Sequence, residues 1–290
     1  MPRRSTSSPR KRGAGGVRSQ TLDSRFSGND GRHIPRKRFG QHFLVDRHSI
    51  ERIVDALRLH PDDNVVEIGP GSGALTGPLL ERVKRLAVIE IDRDLAANLR
   101  AEFPPERLTL HGADALEFDF GSLGNDLRVV GNLPYYISSP LLFRLARYAG
   151  NIRDATAMLQ KEVVDRMVAR PSTRDYGRLS VTLQVRFRIE RLFDVPPSAF
   201  RPAPKVESSV ARLTPLGEAR PVIADEDVFA RIVAAAFGQR RKTLHNALKT
   251  LASDAELERA GIDPGARGET LTVAEFVRLA NALSAGMERC

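Results

Sequence analysis

Asn132-Leu133-Pro134-Tyr135 carries the most specific chemical signal in the chain. The exocyclic amine of a nucleobase is a poor nucleophile, because its lone pair is delocalised into the ring. An Asn side-chain oxygen and a backbone carbonyl, the latter at a position shaped by Pro134, can both accept hydrogen bonds from such an NH2. Held this way, the nitrogen is sp3-like and aligned for in-line attack on a sulfonium methyl. Tyr135 offers a flat face on which an extruded adenine can stack. The same residues also fit a plain turn with a buried tyrosine. No metal and no strong general base is required, because a sulfonium is already activated and the proton can leave after transfer.

Three further positions share a spacing with Asn132. Gly69 to Glu90 is 21 residues, Glu90 to Asp114 is 24 and Asp114 to Asn132 is 18, each about one strand and one helix. Gly69-Pro70-Gly71-Ser72-Gly73 allows a tight turn and close approach of backbone to a ligand. With Ala74 it also satisfies the dinucleotide form G-x-G-x-x-A, so alone it separates neither NAD from S-adenosylmethionine nor either from a plain strand-to-helix turn. Glu90 suits a pair of ribose hydroxyls, given a carboxylate with both oxygens free, and equally a surface acid ahead of Asp92 and Asp94. Asp114 suits an adenine amine or a helix N-cap.

The elements between these residues alternate. Val65-Val66-Glu67-Ile68, Leu86–Ile89, Leu108–Leu110 and Leu127–Val130 are short apolar runs that predict strands. Ile50, Ile53, Val54 and Leu57 predict a helix capped by Asp46, and helices follow over Ala74–Val83 and Arg93–Glu102. This order predicts a parallel α/β sheet with right-handed crossovers, whose strands all end at one edge where ligands bind. A strand and helix fit Ala155–Ala169, and Glu207–Leu213 alternates like a late strand. Beyond Pro215 only helices are predicted, over Val228–Phe237, Thr243–Leu251 and Val273–Leu283. The expected organisation is a basic tail at 1–36, an α/β domain at 37–214 and a small all-helical domain at 215–290.

Composition narrows the function classes. The 290 residues are 41% hydrophobic, enough for a sizeable core. No apolar run approaches the roughly 18 residues of a membrane span, and no secretory signal is visible, so a soluble cytoplasmic protein is expected. Cys290 is the single cysteine, which excludes an internal disulfide and a cysteine-based zinc site. The net charge of +9 invites a nucleic-acid reading, but all of it lies in residues 1–38, with 11 bases and two acids. The body from 39 onward holds 34 of each. Locally, Lys161, Arg166, Arg170, Arg174, Arg178, Arg186, Arg188 and Arg191 outnumber four acids, and Arg240, Arg241, Lys242 and Lys249 form a second cluster. Both suit phosphates beside a sheet-edge site.

Taken together these motifs resemble the small-subunit (16S) rRNA adenine N6,N6-dimethyltransferases, class I enzymes that use S-adenosyl-L-methionine. The resemblance runs from about Lys37 to Ala285. It is carried by Lys37-Arg38-Phe39-Gly40-Gln41-His42-Phe43-Leu44, by Val66–Thr76 and by Gly131–Tyr135, then by Leu159–Val163, Tyr176–Ser180, Pro196–Phe200 and Pro204–Val206, and in the helical part by Phe237–Leu244, Gly261–Pro264, Arg267 and Glu269. It implies a Rossmann-like methyltransferase sheet with a helical RNA-recognition domain. It places His42 and Leu44 at the methionine and sulfonium end of the cofactor, Gly69 against it, Glu90 on its ribose, Asp114 at its adenine and Asn132 between cofactor and target amine. Phe200 becomes a second wall for the target base beside Pro134 and Tyr135. Tyr136 departs from the pattern, since the family often has Asn after Leu-Pro-Tyr.

The expected activity is transfer of methyl groups to N6 of two adjacent adenosines in the 3′-terminal hairpin loop of small-subunit rRNA, by a metal-free monomer acting on the immature small subunit. Three alternatives are weighed: a large-subunit rRNA methyltransferase of the macrolide-resistance type, a non-catalytic assembly or transcription factor, and a dinucleotide oxidoreductase. The Phe237–Glu269 segment speaks against the first and Asn132–Tyr135 against the second. The third lacks a group to assist hydride transfer.

Overall fold

The computed structural model describes residues 42–287, so the expected basic tail at 1–36 and the first residues of the Lys37–Leu44 motif lie outside the described residues. In chain order the elements are β1 (Phe43–Leu44), α1 (Arg47–Leu57), β2 (Asn64–Ile68), α2 (Thr76–Arg82), β3 (Leu86–Ile89), α3 (Arg93–Glu102), β4 (Leu108–His111), β5 (Leu127–Asn132), α4 (Ser138–Arg147) and β6 (Ile152–Gln160). Then come α5 (Lys161–Val168), α6 (Arg178–Gln184), β7 (Phe187–Val195), β8 (Phe200–Arg201) and β9 (Ser208–Pro215). Helices α7 (Glu226–Gly238), α8 (Leu244–Leu248), α9 (Asp254–Arg259) and α10 (Val273–Met287) follow.

Seven strands form one sheet in the order β4-β3-β2-β5-β6-β9-β7. Strands β2 to β6 are parallel, as their near-continuous apolar runs require when both faces are covered. The sheet is nevertheless mixed rather than parallel throughout. Strand β9 pairs antiparallel with both β6 and β7. The crossover through α5 and α6 sets β7 one place away from β6, and β9 turns back to fill the slot. Because side chains alternate along a strand, Val66, Ile68 and Val129 pack on one face with α4, while Val65, Val88 and Val130 pack on the other with α1 and α2.

Local signals account for the helix positions. Asp46 accepts from the Ser49 amide and Asp92 from the Asp94 amide, satisfying free N–H groups at the starts of α1 and α3. Arg128, on β5 away from the strand ends that carry the site, is buried and bonds Asp154, Asp63 and the Leu57 carbonyl. That network ties β5, β6 and the loop ahead of β2 together with charge-assisted bonds. The helices after β9 share a core around Phe229, Ile232, Leu244 and Phe276. Ala169, Tyr176, Val181 and Val185 belong to the same core, and the Tyr176 hydroxyl donates to the Leu271 carbonyl. Packing therefore crosses the boundary expected at 214/215.

Candidate active site

Strand register levels the ends that matter. Ile68 sits opposite Ile89, and Ile89 opposite His111, so the loops after β2, β3 and β4 leave the sheet side by side. A cavity opens there, lined by residues that include His42, Gly69, Gly71, Glu90, Asp114, Asn132 and Tyr135. In the glycine loop Gly69, Gly71 and Gly73 all have positive φ, which other residues adopt at a cost. A Cβ on Gly71 would also lie 3.2 Å from the Phe43 ring, so the loop packs tightly against β1. Gly131 is required for another reason: a Cβ there would stand 2.4 Å from the Ile68 carbonyl. Only glycine lets β5 approach the end of β2 this closely.

Two acids flank the glycine loop. The Glu90 oxygens are not bare, since one accepts from the Asp92 amide at 2.8 Å and the other from the Gly71 amide at 3.3 Å. Each keeps a further lone pair, and the two bonds hold the carboxylate in place. Burial raises the Glu90 pKa above the ordinary range, opposed by those amides. Glu67 is fully enclosed and bonds the Thr76 hydroxyl at 2.7 Å. Its burial pushes its pKa up to about 8. The sequence marked it only as an acid inside an apolar run, which was itself the signal. Asp114 uses one oxygen to accept from the Leu116 amide at 2.8 Å in a turn where no helix begins, and its other oxygen remains as an acceptor.

The Asn132 amide is oriented by chemistry rather than by shape. Its nearest partner is the His42 carbonyl at 3.2 Å, which can only accept, so Nδ2 must face it. Oδ1 is thereby left as the acceptor, as amine chemistry demands. The backbone carbonyl that Pro134 shapes is not its own. Its carbonyl already accepts from the Ile137 amide and the Ser138 hydroxyl, both at 3.1 Å, which occupies both lone pairs. The open carbonyl next to Asn132 belongs to Leu133, whose amide donates to Met158 and whose carbonyl takes no bond among the described residues. Pro134 contributes by shape, with φ −56° entering the turn Tyr135–Ile137.

Tyr135 is half-buried, with its hydroxyl 2.7 Å from the Ser208 hydroxyl at the start of β9 and its ring 5.6 Å from the His42 ring. Burial, opposed by the Ser208 bond, raises its phenol, which therefore stays neutral. His42 and Leu44 arrive on a two-stranded ribbon in which β1 pairs antiparallel with β8. His42 Nδ1 donates to the Pro202 carbonyl at 2.7 Å, which fixes its tautomer. Leu44 sits opposite Phe200 in that ribbon. Phe200 itself is 0% exposed, inside the core with Leu44, Val195 and Val210, and does not reach the cavity surface.

The basic clusters sort themselves by partner. Lys161 pairs with Asp194 and Glu207, Arg166 with Glu162, Arg186 with Glu226, Arg188 with Glu190 and Arg191 with Asp165. Arg170, Arg174 and Arg178 make no ion pair among the described residues, and neither do Arg241, Lys242 and Lys249. Arg240 bonds Glu269 and the Arg174 carbonyl, which joins the loop before α6 to the loop after α7. Clusters more than sixty residues apart in sequence thus touch.

The family model described as "Ribosomal RNA adenine dimethylase" matches residues 32–285. The "Ribosomal RNA small subunit methyltransferase A" of Aromatoleum aromaticum is 60% identical over 257 residues, covering 89% of this chain and 97% of that protein. The protein of the same name from Thiobacillus denitrificans is 60% identical over 244 residues, covering 84% and 96%. Among solved structures, a dimethyladenosine transferase from Plasmodium falciparum superposes with a TM-score of 0.72 at 26% identity, covering 82% of this chain and 96% of that one. The 23S rRNA methyltransferase ErmE gives a TM-score of 0.62 at 29% identity, covering 83% and 99%.

Proposed function

The chain belongs to the ribosomal RNA adenine dimethylase family, and from that premise we propose that its sheet-edge cavity binds S-adenosylmethionine and methylates N6 of two adjacent adenosines in the 3′-terminal hairpin loop of small-subunit rRNA. It is a methyltransferase of small-subunit rRNA adenine, like the relatives that match nearly their whole length. The large-subunit reading is disfavoured, because the structural match to a 23S enzyme comes at 29% identity against 60% for the small-subunit relatives.

The residues present fit the cofactor. The glycine loop lines the cavity through Gly69 and Gly71, whose positive φ turns backbone toward it without side chains in the way. Glu90 keeps lone pairs for two ribose hydroxyls, and Asp114 keeps an oxygen for the adenine amine. His42 and Leu44 flank the methionine end. When bound, the cofactor supplies a methyl group already activated by its positive sulfur.

The chain's own part is to hold the acceptor nitrogen. Asn132 Oδ1 and the Leu133 carbonyl accept the two N–H hydrogens of the adenine amine, drawing its lone pair out of conjugation and toward the methyl group. Tyr135, pinned by Ser208, stacks on the extruded base. The nitrogen pair forms the new N–C bond, the C–S pair stays on sulfur, and the proton passes to water. After one transfer a single N–H remains, so one acceptor holds it and the other faces the new methyl group. Residues 215–290, with Arg241, Lys242 and Lys249, contact RNA phosphates. The protein acts as a metal-free monomer in the cytoplasm on the immature small subunit.

The observation that carries this reading is the amide orientation of Asn132 against the His42 carbonyl. Asn132→Ala removes the acceptor and leaves the glycine loop, Glu90 and Asp114 intact. Methyl transfer to unmodified small subunits should fall by about a hundredfold or more, while cofactor binding measured by calorimetry stays close to wild type. Full dimethylation by this variant would contradict the assignment.

A further inference from the structure

Successive tyrosines of one turn face different halves of the site. Tyr135 reaches β9, where Ser208 holds its hydroxyl. Tyr136, the next residue in the turn Tyr135–Ile137, lines the cavity together with Glu90, Ile91 and Asp114. In the sheet order, β9 lies on one side of β5 and the ends of β3 and β4 on the other. The turn therefore sends one ring toward the target base and the next toward the nucleoside side.

Exposure points the same way. Among the described residues the exposed large apolar side chains are Val45, Ile91, Tyr136, Val206 and Val222, and Tyr136 is 52% and Ile91 46% exposed on this one rim. Isolated apolar exposure is ordinary, but an exposed aromatic ring and a branched aliphatic chain lining one cavity, beside carboxylates suited to a nucleoside, are the surfaces on which a flat ring packs. Burial, and then the carboxylates of Asp114 and Glu90, raise the Tyr136 phenol above its usual range, so its ring stays uncharged.

We infer that Tyr136 is the clamp of the nucleoside subsite: its ring closes on the purine of the cofactor opposite Ile91 and holds substrate and product forms alike. The inference rests on the reading of the cavity as an S-adenosylmethionine site. Its consequence concerns retention. The proposed reaction needs several methyl transfers per RNA, and each requires the spent S-adenosylhomocysteine to be exchanged. Since both forms carry the same adenosine, a clamp on the purine slows the departure of both and raises the affinity for both, without touching the sulfur end where they differ.

The test compares Tyr136→Ala and Tyr136→Phe with the wild-type protein, using calorimetry with S-adenosylmethionine and with S-adenosylhomocysteine, and steady-state methylation of unmodified small subunits. The position is exposed, so folding does not depend on it. Removing the ring should weaken both ligands by about tenfold, and by similar factors. The loss should appear in KM for S-adenosylmethionine far more than in kcat, and Tyr136→Phe should stay within about twofold of wild type because stacking needs the ring and not the hydroxyl. Unchanged affinity in Tyr136→Ala overturns the inference. So does a Phe variant as weak as the Ala variant, or a loss confined to one of the two ligands. A wild-type protein that binds neither ligand overturns the reading beneath it, and is thereby distinguishable from failure of the clamp alone.

Discussion

A single carbonyl decides which way the Asn132 amide faces. The His42 backbone oxygen cannot donate, so the amide nitrogen faces it and the amide oxygen is left as an acceptor. Residue type and position at a strand end made Asn132 legible in sequence. Which backbone carbonyl partners it was not legible, because that depends on the turn after Pro134, where the Ile137 amide and the Ser138 hydroxyl take up the proline carbonyl. The packing of Phe200 was likewise not legible, since its motif names a residue while only the fold shows its ring in the core beside Leu44. Glu67 makes a prediction at this scale. Its folded-state pKa is about 8 against 4.5 for the free group, so the folded state keeps a proton that the unfolded chain loses first. Stability from this group is complete below pH 4.5 and declines as pH rises toward about 8, by up to the order of 5 kcal/mol. Glu67→Gln mimics the protonated form and keeps the bond from Thr76. Denaturant unfolding of the cofactor-free protein should show the variant equal to wild type near pH 4.5 and more stable near about pH 8.5. Equal pH dependence in both would contradict the burial argument.

Elements carry the next level of precision. Strands β2 to β5 and helices α1 and α3 were readable from apolar runs, helped at α1 by its cap, because buried parallel strands are apolar throughout and Asp46 marks the helix start. Strand β7 was not readable. It lies at the sheet edge, carries Arg188, Glu190, Arg191 and Asp194, and its register shifts between Arg191 and Phe193, so alternation never accumulates. The ribbon of β1 and β8 escaped because each strand has two residues, too short for any period, although it delivers His42 to Asn132. Gly131 is the element-scale test. A methyl group there meets the Ile68 carbonyl at 2.4 Å and forces β5 away from β2. Gly131→Ala should lower unfolding stability by about 1–3 kcal/mol and reduce methyl transfer with it, because Asn132 is the next residue. Wild-type melting and activity together would show that the strands can separate without consequence.

Over the whole molecule, charge explains more by its distribution than by its sum. The +9 belongs to residues 1–38, and the body is neutral. Within that body the folded chain neutralises Lys161, Arg166, Arg186, Arg188 and Arg191 internally, while Arg170 and Arg174 in one loop adjoin the Arg240–Lys242 loop through the Arg240 bond to Arg174. No sequence count could separate paired from unpaired bases, since pairing is tertiary. Replacing Arg241, Lys242 and Lys249 with Gln should weaken binding to small-subunit RNA and reduce the slope of log affinity against log salt by about 2. An unchanged slope would place the RNA elsewhere on the surface. The central claim joins cavity, acceptor and RNA, and one measurement addresses all three: mass spectrometry of ribosomal RNA after unmodified small subunits are incubated with the protein and isotopically labelled S-adenosylmethionine. The account predicts two labelled methyl groups on N6 of each of two adjacent adenosines near the 3′ end of small-subunit rRNA. Label on large-subunit rRNA alone, on another base atom, or on no RNA at all would contradict it.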